Sequence, residues 1–312
     1  MRIGIDIGGT KIIGGLVDES GRVTCKRKIS TDKGKGYEVI RDDIIGLIKA
    51  IVEEGNINIQ KVERIGIACA GQIDKATRNI LFSPNLEWHN VPLKDDIEKM
   101  CGIYTHIEND VNAATYGEWK FGLKGIPDDV IGVFVGTGIG GGIIVNKKLC
   151  RGFSGVGGEV GHITVNPYGY KCHCGNIGCF EAYCGGSYII ERVRAAIEKG
   201  YRGKIWDIIE GNPGYLHTGH IEEACLLGDS LCERIWMEVV EYMGVALASL
   251  VNLLNPEIVI LGGGVVYGSE YFTDDVRIVM EKRAMNASLV GLKIEKAQLG
   301  EDAGIIGAAF VE

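Results

Sequence analysis

Four apolar, β-branched runs in this chain each end in glycine: "IGIDIGG" from Ile3, "IGIACAG" from Ile65, "IGVFVGTGIGGG" from Ile131 and "IVILGGG" from Ile258. A strand that stops in glycines is one whose backbone must turn tightly or approach a ligand closely. Between these runs lie segments of helical pattern, Tyr37 to Glu54, Val111 to Phe121, Gly186 to Lys199 and Ile235 to Leu254. Strands alternating with helices predict an α/β architecture. Two of the runs also resemble each other. Aligned without gaps at a shift of 128, "IGIDIGGTKIIGGLV" and "IGVFVGTGIGGGIIV" agree at five of fifteen positions, and several others exchange one aliphatic for another. In both, the glycine turn leads back into β-branched residues, so the predicted unit is strand–turn–strand. It implies a duplicated lobe, with two phosphate-sized turns facing one another across a cleft.

With 312 residues, 46% hydrophobic and 24% charged, the chain has the length for about two domains and a sizeable core without disulfides. The net charge of -8 comes with acids and lysines interspersed, and no basic stripe of the kind that nucleic-acid binders show. The uncharged apolar stretch from Tyr242 to Pro256 is too short to span a bilayer, so no membrane partner is expected. Met1 runs straight into "RIGIDIGG" with no export signal, which predicts a cytoplasmic, reducing location. The cysteines are then thiols or metal ligands.

The turn "DIGGTK" gathers backbone N–H groups, the Thr10 hydroxyl and the Lys11 ammonium around Gly8 and Gly9. Such a cluster suits a polyphosphate, and Asp6 at the strand end could hold Mg²⁺ directly or through water. The order of a P-loop is missing. "GTGIGG" from Gly136 spells G-x-G-x-x-G, which would suggest an NAD-dependent oxidoreductase. That fingerprint must open a helix, whereas here "GGIIVNKKL" continues as strand. Asp110 in "ENDVNAA" falls near a predicted helix N-terminus, where it is either a simple N-cap or a base that takes a proton from an alcohol beside a phosphate.

"IGIDIGGTK", "ENDVNAA", "GTGIGGGII", "GEVGH" with "CHCGNIGCFE", "LGGG" and "GEDAGIIGAA" occur in the order seen in ROK-family sugar kinases. The chain resembles that family along essentially its whole length, most of all its glucokinases, with the N-acetylglucosamine and N-acetylmannosamine kinases close behind. The resemblance implies a hexokinase–actin-like fold, two ribonuclease H-like lobes around a central cleft. The expected division is 1–114 with 301–312 as a small lobe, and 115–300 as a large lobe that carries a zinc-binding loop at 162–179. It further implies ATP with Mg²⁺ as donor, a hexose as acceptor and commonly a homodimer. Family members that are repressors carry a DNA-binding winged helix before the sugar-binding portion; none is seen here, and Asp6 and Asp110 are present, so the regulator reading is set aside.

By resemblance, Asp110 is the catalytic base. Gly71, Asn85, Asn109, Asp110, Glu159, His162 and Glu181 meet the sugar. Asp6, Gly8, Gly9, Thr10 and Lys11 take the outer phosphates together with Gly136, Thr137 and Gly138. Gly262, Gly263 and Gly264 approach the adenosine. Spacing alone leaves the cysteine cluster open, since Cys172, Cys174, Cys179 and Cys184 could form a four-thiolate site and His173 is a spare ligand. The resemblance selects His162, Cys172, Cys174 and Cys179 as a closed structural zinc set.

Overall fold

The computed structural model describes residues 1–268 and 272–312, which form two compact units. One comprises Met1–Asp128, Gly142–Gly158 and Ala297–Glu312; the other comprises Asp129–Gly141 and Glu159–Lys296.

The strands of the stretch Met1–Asp128 are β1 (Arg2–Ile7), β2 (Lys11–Val17), β3 (Val23–Ser30), β4 (Ile65–Cys69), β5 (Gln72–Ile73), β6 (Ile80–Ser83), β7 (Trp88–Val91) and β8 (Thr105–Asn109). They form a five-stranded sheet in the order β3-β2-β1-β4-β8 and a small sheet β5-β6-β7. The helices of the first unit are α1 (Gly36–Glu54), α2 (Leu93–Cys101), α3 (Asp110–Gly117) and, at the far end of the chain, α12 (Ala303–Phe310). Strand alternation decides what each face meets. Ile3, Ile5, Ile7, Ile65 and Ile67 point to one face and pack with Ile44, Ile48 and Ile51 of α1. Gly4 and Gly66 point to the other, where α12 lies so close that a Cβ on Gly66 would stand 1.8 Å from the carbonyl oxygen of Ala308. Asp6, two residues beyond Gly4, therefore emerges on the α12 side.

The remaining strands are β9 (Val130–Val135), β10 (Ile139–Val145), β11 (Lys148–Leu149), β12 (Ile258–Gly262) and β13 (Lys293–Lys296), in the order β11-β10-β9-β12-β13. Chain order and strand directions repeat those of the first sheet: an antiparallel neighbour on one side, and parallel neighbours on the other. The bounds of β9 and β10 are those of β1 and β2 displaced by the same 128 residues that align the two sequence runs. The internal similarity is thus a real structural repeat.

The helices of the second unit are α4 (Phe180–Cys184), α5 (Gly186–Glu198), α6 (Lys204–Ile208), α7 (Thr218–Leu226), α8 (Ser230–Leu254), α9 (Gly264–Gly268), α10 (Phe272–Glu281) and α11 (Asn286–Leu289). Among the described residues α8 alone is long and apolar enough to cross a membrane by length and composition. Its apolar stripe, including Ile235, Val239, Met243, Leu247 and Val251, is buried, and the helix packs on α4, α7 and α10.

These units and the division expected at 114 and 301 do not share their bounds. α3 continues beyond Ala114 into a π-helical turn, Glu118–Gly122, and is fastened to α12 through close approaches such as Gly117 to the Ala303 carbonyl. Glu118, buried, accepts the N–H groups of Gln298 and Leu299, which keeps that stretch with the first unit too.

Candidate functional site

In the first unit, β1 and β2 are joined by Gly8, Gly9 and Thr10, a turn closed by the Gly8 N–H on the Lys11 carbonyl at 2.9 Å. It is the predicted strand–turn–strand. Asn85, in the turn between β6 and β7, lies against it, since a Cβ on Gly9 would be 3.2 Å from that of Asn85. Lys11 Nζ is paired with Glu301 at 2.7 Å. Asp6 sits beside the start of α12, with Oδ2 3.0 Å from where a Gly304 Cβ would be. Burial and the nearby Asp110 carboxylate push Asp6 up to about 7, outweighing the Lys11 ammonium that pulls it down. A buried carboxylate raised by a second one nearby is a place where a divalent cation fits, because its charge relieves the repulsion.

β8 delivers Asn109 and Asp110 to the start of α3. Asn109 is the N-cap, with Oδ1 accepting from the N–H groups of Val111 and Asn112 at 3.0 Å each. Its Nδ2 donates to the Gly71 carbonyl at 3.1 Å. Asp110 is the first helical residue, so it is not the cap that its position in sequence suggested. Gly71, Asn85, Asn109, Asp110, Asp6 and the first glycine turn all belong to this unit.

In the second unit, β9 and β10 are joined by Gly136, Thr137 and Gly138. The strand after this turn continues as strand, which removes the dinucleotide-binding reading. The first N–H groups of α5 hold the turn: Gly186 donates to the Gly136 carbonyl, and Ser187 to that of Thr137, at 2.9 Å each. Glu181 of α4 holds it from the other side, Oε2 accepting the Ile139 N–H at 2.8 Å. The carboxylate fills the space beside Gly138, where a Cβ would stand 2.3 Å from that oxygen and displace the Glu181 side chain. Glu181, expected at the sugar, is thus seen to hold the turn. Glu159 is exposed at the start of a short 3₁₀ turn, Val160–His162. Gly161 seats that turn on β10, with its would-be Cβ 2.2 Å from the Ile139 carbonyl.

His162, Cys172, Cys174 and Cys179 offer four ligand atoms that all lie within 4.8 Å of one another. Cys174 and Cys179 Sγ are 3.6 Å apart, and Cys172 Sγ is 3.8 Å from His162 Nδ1. Zn–S bonds of about 2.3 Å around a tetrahedron place sulfurs about 3.8 Å apart, so the donor set fits that ion. Bonded sulfurs would be at about 2.05 Å, so no disulfide is present in this cluster. The Tyr188 hydroxyl reaches Cys172 Sγ at 3.5 Å and Asn176 Nδ2 reaches Cys179 Sγ at 3.3 Å, the outer donors that thiolate ligands need. The alternatives left open by spacing fall away. Cys184 is buried, its thiol on the Val239 carbonyl at 3.3 Å, and the His173 ring stacks on Tyr188.

A cavity of about 320 Å³ in the second unit is lined by Gly136, Thr137, Ser187, Arg194, His217 and Gly264, among others. It joins the second glycine turn to the "LGGG" segment, where Gly262 ends β12, Gly263 turns at φ +94 and Gly264 opens α9.

A ROK family model matches residues 2–311. The chain belongs to the ROK family. It is 34% identical to a glucokinase of Streptomyces coelicolor, covering 99% of this chain and 96% of that protein. It is 33% identical to a xylose repressor of Caldicellulosiruptor bescii, covering 98% of this chain and 76% of the repressor. A crystal structure of a ROK family glucokinase from Streptomyces griseus, in complex with glucose and AMPPNP, is 37% identical and superposes with a TM-score of 0.84 over 99% of this chain and 97% of that one. The fold of this ROK protein is accordingly the hexokinase–actin type, α/β with two ribonuclease H-like lobes.

Several residues of this ROK chain were not singled out from sequence. Glu301 pairs with Lys11 of the first glycine turn, and its only signal was its place in "GEDAG". Ser187, Arg194 and His217 line the cavity, yet the first two come from α5, whose pattern looks like ordinary packing, and His217 is the residue before α7. Glu108, directly before Asn109, turns out to be buried in a cluster of charges.

Proposed function

We propose that this protein phosphorylates a hexose at its 6-hydroxyl with ATP as donor, and that the hexose is glucose. One observation carries the reading: Asp110 opens α3 in the electrostatic range of Asp6, on the same unit as the Gly8–Lys11 turn. That is a base for an alcohol beside a polyphosphate seat. The glucokinase relatives support it.

In this reading the sugar hydroxyl oxygen attacks the γ-phosphorus and its proton passes to Asp110, while the bond from that phosphorus to the bridging oxygen breaks and ADP leaves. The sugar contacts are Gly71, Asn85 and Asn109 of the first unit, and Glu159, His162 and Glu181 of the second. Gly8, Gly9, Thr10 and Lys11, and Gly136 to Gly138, take the phosphates, with Gly262 to Gly264 and the cavity beside them taking the nucleoside. Lys11 exchanges its Glu301 partner for phosphate oxygens. Asp6 holds Mg²⁺, which when bound neutralises developing phosphate charge. His162, Cys172, Cys174 and Cys179 hold zinc, which stabilises the loop from 162 to 179 and has no open position for substrate. The protein works in the cytoplasm, as a homodimer.

The deciding measurement is sugar-dependent ADP release with glucose, mannose, N-acetylglucosamine, N-acetylmannosamine and xylose. Glucose should give the highest kcat/KM. A preference of more than about tenfold for N-acetylmannosamine moves the substrate to the hexosamines. No turnover with any sugar, combined with sugar binding, would instead make the chain a sensor.

A further inference from the structure

Glu108 is a charged residue with 1% of its surface exposed, on β8 immediately before the Asn109–Asp110 pair. Its Oε2 faces three cationic or protonatable groups: Arg151 Nε at 2.7 Å, Arg78 Nη1 at 3.5 Å and His106 Nε2 at 3.8 Å. Its Oε1 accepts the Asn109 N–H at 3.2 Å and Asn112 Nδ2 at 3.2 Å. A buried ion cluster of this kind costs desolvation that an apolar core would avoid, so stability alone is a weak reason for it. The geometry offers another. One oxygen is anchored by fixed cations, and the other holds the two residues that bracket Asp110.

Those residues are held elsewhere as well. Asn109 caps α3 with one side-chain atom and reaches the Gly71 carbonyl with the other. Arg151 enters from the segment that follows β11. That segment is itself tied down, since Lys75 Nζ donates to the Gly152 carbonyl at 3.2 Å and Gly155 is seated against the Ile73 carbonyl. The first turn of α3 is therefore held, through Glu108, by charges that come from two separate segments of the same unit, those of Arg78 and Arg151.

We propose that Glu108, anchored by Arg151, is a positioning residue that fixes the direction of Asp110. This rests on the reading of Asp110 as the base. Glu108 does not touch the reacting atoms, and it acts only through the Asn109 N–H and Asn112.

The test compares Glu108→Gln, Arg151→Met and the double variant with wild type and Asp110→Asn, in full-length protein. Steady-state kinetics are read alongside amide hydrogen exchange at Val111 and Asn112. Glu108→Gln should lower kcat by about ten- to a hundredfold, the size of effect that misplacement produces. KM for ATP should stay within about twofold, and exchange at the first turn of α3 should speed up. Arg151→Met should do the same to a similar or smaller degree. The double variant should be no worse than the worse single, because both act on one clamp. Wild-type kcat in a folded Glu108→Gln protein overturns the proposal, as does a fall in kcat with unchanged exchange or multiplied effects in the double variant. Should Glu108→Gln fail to fold, Arg151→Met decides by the same readouts. Wild-type protein inactive on every sugar sinks the kinase reading, while the exchange measurement still decides the clamp.

Discussion

Asn109 caps α3 through its own side chain, so Asp110 is the first residue of the helix and not its cap. This makes Asp110→Asn a clean substitution, since neither the cap nor the size of the side chain changes. As the general base, Asp110 should show a loss of about 10²–10⁴-fold in kcat on conversion to Asn. Sugar affinity, measured by isothermal titration calorimetry, should largely survive. Unchanged kcat would reduce Asp110 to an ordinary residue of the first helical turn. Asn109 was legible in "ENDVNAA" as part of the same motif, but which of the two residues caps depends on where β8 ends, and no local pattern states that.

At the scale of elements, the glycines that looked like ligand approaches divide into two kinds. Gly138 admits Glu181 and holds a turn; Gly66 admits no ligand but a helix. Gly66→Ala would drive a methyl into the Ala308 carbonyl of α12 and should destabilise the protein by about 1–3 kcal/mol, measured by urea unfolding. The cysteine loop is an element of another sort, assembled around four ligand atoms. Purified protein should carry about one zinc per chain, as a single four-ligand site requires. Cys174→Ser should lower that content, by elemental analysis, and raise KM for sugar more than KM for ATP. Metal-free protein with an unaltered sugar KM would separate the loop from sugar binding.

For the whole molecule, acid stability should report on Glu108. Burial alone would raise its carboxyl, but His106, Arg151 and Arg78 outweigh that and hold it down to about 2. An unfolded Glu titrates near about 4.3. With the folded value below the unfolded one, the folded state gains from this group above about pH 4.3, and the gain is lost as pH falls toward about 2. Thermal unfolding of Glu108→Gln should therefore begin lower at neutral pH, where Arg151 and Arg78 lose their partner, and fall less steeply than wild type between those values. Parallel acid limbs would show that the cluster is already broken in the folded protein.

The four glycine-ended strands, the repeat at 128 residues and the two glycine turns were set out by local sequence, because β-branched runs, helical periodicity and glycine act on neighbouring residues. The four ligand atoms of the cysteine loop were nearly so. Four candidates plus two spares lie within 23 residues from His162 to Cys184, and only packing removed the spares: α8 claims Cys184, and Tyr188 claims His173. Tertiary structure alone decided what comes from far along the chain. Lys11 meets Glu301, Glu108 meets Arg151 and Arg78, and Glu181 meets the turn before Ile139. These are contacts between single polar groups, and a charge carries no periodicity that could announce its partner. Which acid is a solvated surface group and which is a buried anchor is settled only when the sheet edge, the loop and the helix end arrive together and take the water away.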